Sequence, residues 1–498
     1  MPTRRPVPFR TRLLFALAPG ALGLVALSVS ACARYQAQPL TQDEVDTALR
    51  QPDPAQLSVA AAGLHHPRLA PVALDPSVPL TPDAAAVIAV LIHPQLRTAR
   101  AQRGLADAQV IQAGLLPNPQ VYGAFDRPIT GDTESATTGW LVGLSWEVTS
   151  FITHGAKQRS ADAASQAVDL AIAWQEWQVA TAARQAVVRL AGARERLPLA
   201  MEQERLAETS SDLHRRAAAI GAITAEALAQ VEATLADAHA IRLDAEAEVE
   251  RERLIAVRSI GFPTDHPLPV AALAATAHGL SDLPAQADQE AVAHLEERRL
   301  DLAGLRAGYQ SQEESLHAAV LGQFPKITVS LARSRDTSAL GLISPGVSID
   351  LPFFDRGQGA IVSAKADRER LRAEYIQRVF EARHDLAETL AELRAADLRW
   401  RQATSAMQQT TVRAQALHAA AEADMADLLA ESSVNAEHLR RASEASLWHQ
   451  RHEELRIAFE LTAGSLFPVL LELPTLPALP ATKFSTSSLP TRAAEPTP

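Results

Sequence analysis

Residues 140–148 read Trp140-Leu141-Val142-Gly143-Leu144-Ser145-Trp146-Glu147-Val148. Trp140, Val142, Leu144, Trp146 and Val148 fall on one side and Leu141, Gly143, Ser145 and Glu147 on the other, the period of two that marks a strand with one apolar face. The pattern returns about 200 residues later, where Gly346-Val347-Ser348-Ile349-Asp350-Leu351 matches residues 143–148.

Working outward, the repeat extends in both directions. His93-Pro94-Gln95-Leu96 opens a helix that ends at Leu115-Leu116-Pro117-Asn118-Pro119, and Arg299-Leu300-Asp301-Leu302 opens one that ends at Gln323-Phe324-Pro325-Lys326. Leu96 to Leu302 and Pro119 to Pro325 are equally far apart, and Leu228 finds its match in Leu428. Solenoid repeats recur every 20–50 residues, so this is instead a tandem duplication of two large halves. Each half has the order helix, two strands, very long helix, helix. The patterns predict helices over 82–116, 156–219 and 223–260, and again over 286–322, 360–419 and 424–463. Prolines at 117, 119 and 325 end the first helix of each copy. The predicted strands are 119–127, 138–149, 325–334 and 343–352, the last interrupted by Pro345; each is near the ~9–11 residues that cross a bilayer at a tilt.

Composition agrees with long helices rather than ordinary cores. Of 498 residues 47% are hydrophobic but only 4% aromatic, with 22 Gly and abundant Ala. A single cysteine among 498 residues excludes an internal disulfide, a zinc ribbon or a Cys-x-x-Cys redox site. The net charge of −11 speaks against nucleic acid as a partner. A helix over 156–219 would be about 96 Å long at 1.5 Å per residue. A soluble coiled coil is the alternative for such segments, but strands inserted at matching places in both copies argue against it. Four strands cannot close a barrel, and an open sheet edge in lipid leaves backbone groups unsatisfied. Closure therefore requires strands from other copies of the chain.

The N-terminus carries Arg4, Arg5, Arg10 and Arg12, then an apolar run from Leu13 to Val29, then Val29-Ser30-Ala31-Cys32. This is the layout of a secretory signal over 1–31. Val-Ser-Ala-Cys also resembles a bacterial lipobox, which would leave Cys32 as a lipidated first residue; the alternative is an ordinary signal with an incidental cysteine. The sequence then divides into a proline-rich, extended tether over 32–80, a first repeat over 81–265, a linker over 266–285, a second repeat over 286–466, and a Pro/Ser/Thr-rich tail over 467–498.

The pattern Ala86, Leu91, His93-Pro94, Leu96, Ala99, Ala108 and Gln112-Ala113-Gly114-Leu115-Leu116-Pro117-Asn118-Pro119 resembles the TolC-like outer-membrane efflux proteins, in their lipoprotein branch. So do the turns Phe151-Ile152-Thr153-His154-Gly155 and Pro352-Phe353-Phe354-Asp355-Arg356-Gly357. The resemblance implies a mainly α protein with a small transmembrane β portion. A homotrimer would pool four strands per protomer into a 12-stranded β-barrel and its helices into a long α-helical barrel. It further implies a periplasmic adaptor, a proton-driven inner-membrane pump and outer-membrane lipid as partners. Gly221, Ala222, Ile223 and Thr224 resemble the hairpin tip that meets the adaptor. Asp427 falls where the family often carries an acid at a periplasmic constriction, with Asp424 one turn earlier on the same face; a plain solvated helix face is the alternative.

No Walker-type loop, Gly-x-Ser-x-Gly elbow or His-Glu-x-x-His occurs, so neither a catalytic centre nor a cofactor is expected. His449 and His452, followed by Glu453 and Glu454, have a spacing that can place two imidazoles on one helix face; such pairs usually belong to a solvated face, and no metal site is assigned to them or to His65-His66. The expected function is a passive outer-membrane exit channel of a tripartite efflux system, with cargo left open between drug and metal. The rival is a periplasmic coiled-coil structural lipoprotein without a pore.

Overall fold

A computed structural model describes residues 35–50, 53–64, 66–75, 77–130, 137–273, 292–422 and 428–465. The signal segment, Cys32, Asp424, Asp427, linker residues 274–285 and the tail lie outside the described residues. Residues up to Arg50 form a unit of their own. It holds α1 (Gln42–Leu49), whose start is closed by a capping box: Thr41 accepts from the Glu44 N–H, and the Glu44 carboxylate accepts from the Thr41 N–H.

The larger unit carries the duplication. After α2 (Pro54–Ala62) come α3 (Pro82–Ile92), α4 (Pro94–Gly114), β1 (Gln120–Asp126), β2 (Gly139–Glu147), α5 (Ser150–Ala219) and α6 (Ala225–Ile260). The second copy runs α7 (Leu295–Arg298), α8 (Leu300–Leu321), β3 (Lys326–Arg335), β4 (Gly341–Asp350), α9 (Gln358–Glu422) and α10 (Leu428–Ala463). α5 and α9 have 70 and 65 residues, about 105 and 98 Å at 1.5 Å per residue. α5 packs against α6 and α9 against α10 as antiparallel hairpins, and α8 and α10 of the second copy lie against α5 of the first.

Several expectations need correction. The continuous helix over 82–116 is broken at His93, because Pro94 cannot donate to the carbonyl four residues back and starts a new helix instead. Its counterpart is broken at Arg299, the matching position of the second copy, without a proline. There the guanidinium turns to Asp301, 2.8 Å away, and lies over the Trp174 ring at 5.0 Å. Nor is the segment before Leu80 simply extended. Pro54 sits at the first position of α2 behind the Asp53 cap, where proline starts a helix rather than ending one. Downstream, residues 66–75 and 77–80 strap onto the bundle. The His66 Nε2 lies 3.2 Å from the Ala173 carbonyl, Arg68 donates to the Arg298 carbonyl, Leu69 is buried, and Leu80 bridges to Val270.

Each repeat has its own apolar core. Ala85, Ala89, Val90, Leu96, Trp177, Val187, Leu190, Val257 and Ile260 form the first; Leu295, Leu302, Leu386, Leu390, Leu393, Leu455 and Phe459 the second. The repeat-related residues Leu96 and Leu302 are both fully buried. A third cluster of Leu170, Ala173, Leu300 and Ala307 joins the copies. The strands form one antiparallel sheet in the order β1-β2-β3-β4, so each copy contributes a hairpin, and β1 and β4 remain as edges. Pro345 does not interrupt β4; it pairs with Leu331 in an edge strand, where a missing N–H is tolerated.

Candidate pore, hairpin tip and gate

The strand register sorts the sheet into two unlike faces. One carries Val121, Phe125, Trp140, Val142, Leu144, Trp146, Ile327, Val329, Leu331, Ile343, Val347 and Ile349. The other carries Gln120, Tyr122, Asp126, Gly143, Ser145, Glu147, Thr328, Ser330, Ser344, Ser348 and Asp350. Apolar residues exposed in quantity on a four-stranded sheet have no place in water: Phe125 is 83% exposed, Ile343 74% and Val347 67%. Apolar outside and polar inside is the alternation of a membrane barrel around a water-filled lumen. The polar face keeps its bulk low. Tyr122 lies across Gly143, so a Cβ at 143 would enter its ring.

At the helix end of the sheet, aromatic groups gather. The Trp146 indole donates to the Pro117 carbonyl at 2.7 Å and meets Phe151 edge-on at 5.2 Å. Phe353 and Phe354, in the turn between β4 and α9, are 70% and 94% exposed. Such rings suit the border between lipid and water. Thr149 stitches the start of α5 to the sheet by donating to the Pro325 carbonyl at 3.3 Å and accepting from the Ile327 N–H.

At the far end of the first hairpin, Gly221 has φ +72° with nothing near a would-be Cβ, so the glycine serves backbone conformation and not space. The Gly221 and Ala222 N–H groups donate back to Ala218 and Ala217 at 3.0 and 2.9 Å, closing α5. Thr224 opens α6 by accepting from the Ala227 N–H at 3.1 Å. Gly221, Ala222 and Thr224 are exposed and Ile223 half-buried, so the turn is small and its surface is open. On the second hairpin α9 ends at Glu422 and α10 begins at Leu428; Asp424 and Asp427 between them lie outside the described residues, as does Cys32.

The bundle also holds a ladder of buried charge that sequence reasoning missed. Along α5 and α10, Arg184 pairs with Glu460, Arg189 approaches Glu454 at 3.7 Å, Arg196 donates to Gln450 at 2.7 Å, and Glu195 accepts from Ser446 at 3.1 Å. Arg184, Glu460, Arg196 and Gln450 are buried. Burial pulls the Arg456 guanidinium down, but Glu453 and Glu460, at 2.9 and 2.8 Å, outweigh it and raise its pKa. The signal that could have found the ladder is weak, since arginine and glutamate at helical spacing read equally well as a solvated face.

His449 and His452 are not on a solvated face. Both stack on Trp400, at 4.7 and 4.9 Å, and His452 is 1% exposed. Among the described residues no group of three or more His, Cys, Asp or Glu is placed to hold a metal ion. His66 is likewise a packing residue, buried against Trp177; burial pushes its pKa down, against the opposing pull of Glu176. His65 lies outside the described residues.

No protein-family model matches the chain. It is 24% identical over 301 residues to the cobalt-zinc-cadmium resistance protein CzcC of Cupriavidus metallidurans, covering 60% of this chain and 69% of that protein. Among solved structures it resembles the outer-membrane channel OprN, with TM-score 0.63, 18% identity, and coverage of 82% of this chain and 95% of that one. It also resembles the outer membrane protein VceC of Vibrio cholerae, with TM-score 0.61, 17% identity, and coverage of 78% and 96%. The chain has the fold of these outer-membrane proteins.

Proposed function

We propose that the chain is the outer-membrane exit channel of a tripartite efflux system, conducting passively what an inner-membrane pump delivers through a periplasmic adaptor. The observation that carries this is the two-faced sheet with open edges at one end of two hairpins about 100 Å long. Neither edge can remain unpaired in lipid, and three copies in rotation pair every edge and give twelve strands. The helices then continue the lumen as an α-barrel, and Gly221 to Thr224 form the tip that engages the adaptor. Asp424 and Asp427, three of each around the axis, ring the periplasmic entrance, and Cys32 carries the lipid anchor. Similarity to CzcC supports divalent metal cations as cargo, which an acidic chain and an acidic ring would favour over anions.

A coiled-coil structural lipoprotein without a pore is not favoured, because it has no use for a sheet whose outward face is apolar. Planar-bilayer recording of the purified protein, with its mass measured in detergent, tests the reading. The expected result is a trimer with discrete conductance steps. A monomer that never conducts would overturn it.

A further inference from the structure

The outward face of the sheet is apolar along its length except at the end away from the helices. There the register sets Phe125, Trp140, Arg335 and Gly341 in one row across the four strands, and Gly123, Val142, Arg333 and Ile343 in the next. Both arginines are exposed, on the face shared with Leu144, Leu331 and Val347. A guanidinium on a lipid-facing position is costly at the bilayer midplane and nearly free at its surface. From Ile327 to Arg335 the strand rises about 27 Å, or about 20 Å of membrane depth at a tilt of about 40°. With the Trp146 and Phe151 belt near one border, the arginines and Trp140 stand at the other.

Among the described residues nothing near them supplies a counter-charge. Asp126 lies on the inner face. Asp336 is occupied by its own turn, one carboxylate oxygen accepting from the Ser338 and Leu340 N–H groups at 2.9 and 2.8 Å. Among the described residues neither arginine has a carboxylate partner. Two guanidiniums on alternate residues of one strand are about 7 Å apart, and each offers a planar fork that matches a phosphate. In a chain of net charge −11 this is a positive site placed at the outer surface of the membrane.

We propose that Arg333 and Arg335 bind the phosphates of the outer-leaflet glycolipid, with Leu144, Leu331 and Val347 on the same face seating the acyl chains below. The inference rests on the outer-membrane reading of the sheet. Its test uses the full-length protein, as wild type, R333Q/R335Q and R333K/R335K, reconstituted into phosphatidylcholine vesicles with and without diphosphoryl lipid A. Lipid retained by the repurified protein is counted by native mass spectrometry. Wild type should hold lipid A about tenfold or more tightly than R333Q/R335Q, and the lysine variant should fall between, since it keeps charge without the fork. Phosphatidylcholine retention should be equal in all three, and millimolar inorganic phosphate should not compete. Equal lipid A retention by wild type and R333Q/R335Q, with both conducting normally, would overturn this inference alone. Displacement by inorganic phosphate would replace the lipid by the free ion. A wild type that neither floats with vesicles nor conducts would overturn the channel reading as well.

Discussion

Gly192 faces α10 in the middle of the buried ladder, and Gln450 occupies the space a side chain would need. A Cβ there would meet the Gln450 Oε1, with Cδ only 2.9 Å away. Gln450 cannot swing clear cheaply, because its oxygen accepts from Arg196 and its nitrogen donates to Glu454, both at 2.7 Å. G192A should therefore cost about 1–3 kcal/mol of stability by overpacking. Adding Q450A should return part of that cost, and thermal melts of the two single variants and the double variant measure the coupling. Asp301 gives a pH-dependent case. Burial alone would raise its pKa, but Arg299 and then Arg378, donating at 2.8 to 3.0 Å, hold it below its usual value. A depressed carboxylate contributes stability above its unfolded pKa, near 4, and loses that contribution as pH falls through the lower folded value. D301N should thus destabilise by about 3 kcal/mol at pH 7, with the gap to wild type closing below about pH 4. A gap that is constant with pH would exclude the charge as its cause.

At the scale of elements, the first hairpin tip turns on one backbone conformation. Gly221 at φ +72° accepts alanine only with strain of about 1–2 kcal/mol, local to an exposed turn. G221A should leave the trimer and its conductance intact while weakening retention by the adaptor in a pull-down; unchanged retention would detach the tip from that role. How far such elements could be read in advance depended on what sets them. The strands come out within two residues of their expected bounds, because alternation such as Trp140 to Trp146 is written by burial on one face. The long hairpins are legible less closely, from alanine-rich stretches meeting at Gly221: α5 starts at Ser150, six residues ahead of its expected start, and takes in residues 151–155 that read as a turn. The break at Arg299 was not legible, since a guanidinium drawn to Asp301 and Trp174 does there what Pro94 does in the first copy. Nor was the strap over 66–75 and 77–80, whose prolines suggest only an extended chain while Leu69 and Leu80 find the core through distant residues. The tip could be located from its glycine, whereas the burial of Arg184 and Glu460 depends on which faces of α5 and α10 meet.

At the scale of the whole molecule, one protomer leaves two open sheet edges, which in the proposed trimer copies of itself complete. The apolar face of the sheet needs lipid, and β1 and β4 need each other across a subunit boundary. In the proposed trimer a threefold axis would also multiply charge: one copy each of Asp424 and Asp427 would become six carboxylates around the proposed constriction. Confined to a narrow entrance with low-dielectric walls, such a ring attracts cations and repels anions. Its influence is set by the distance over which salt screens, about 10 Å at 0.1 M and about 3 Å at 1 M. Wild-type channels should therefore prefer potassium over chloride strongly at 0.1 M and weakly at 1 M, measured as reversal potential across a salt gradient. D424N/D427N should lower that preference at 0.1 M and match wild type at 1 M, with the trimer unchanged. A double variant as cation-selective as wild type at low salt would move the selectivity elsewhere in the lumen, with Asp126, Glu147 and Asp350 on the inner face of the sheet as the next residues to neutralise.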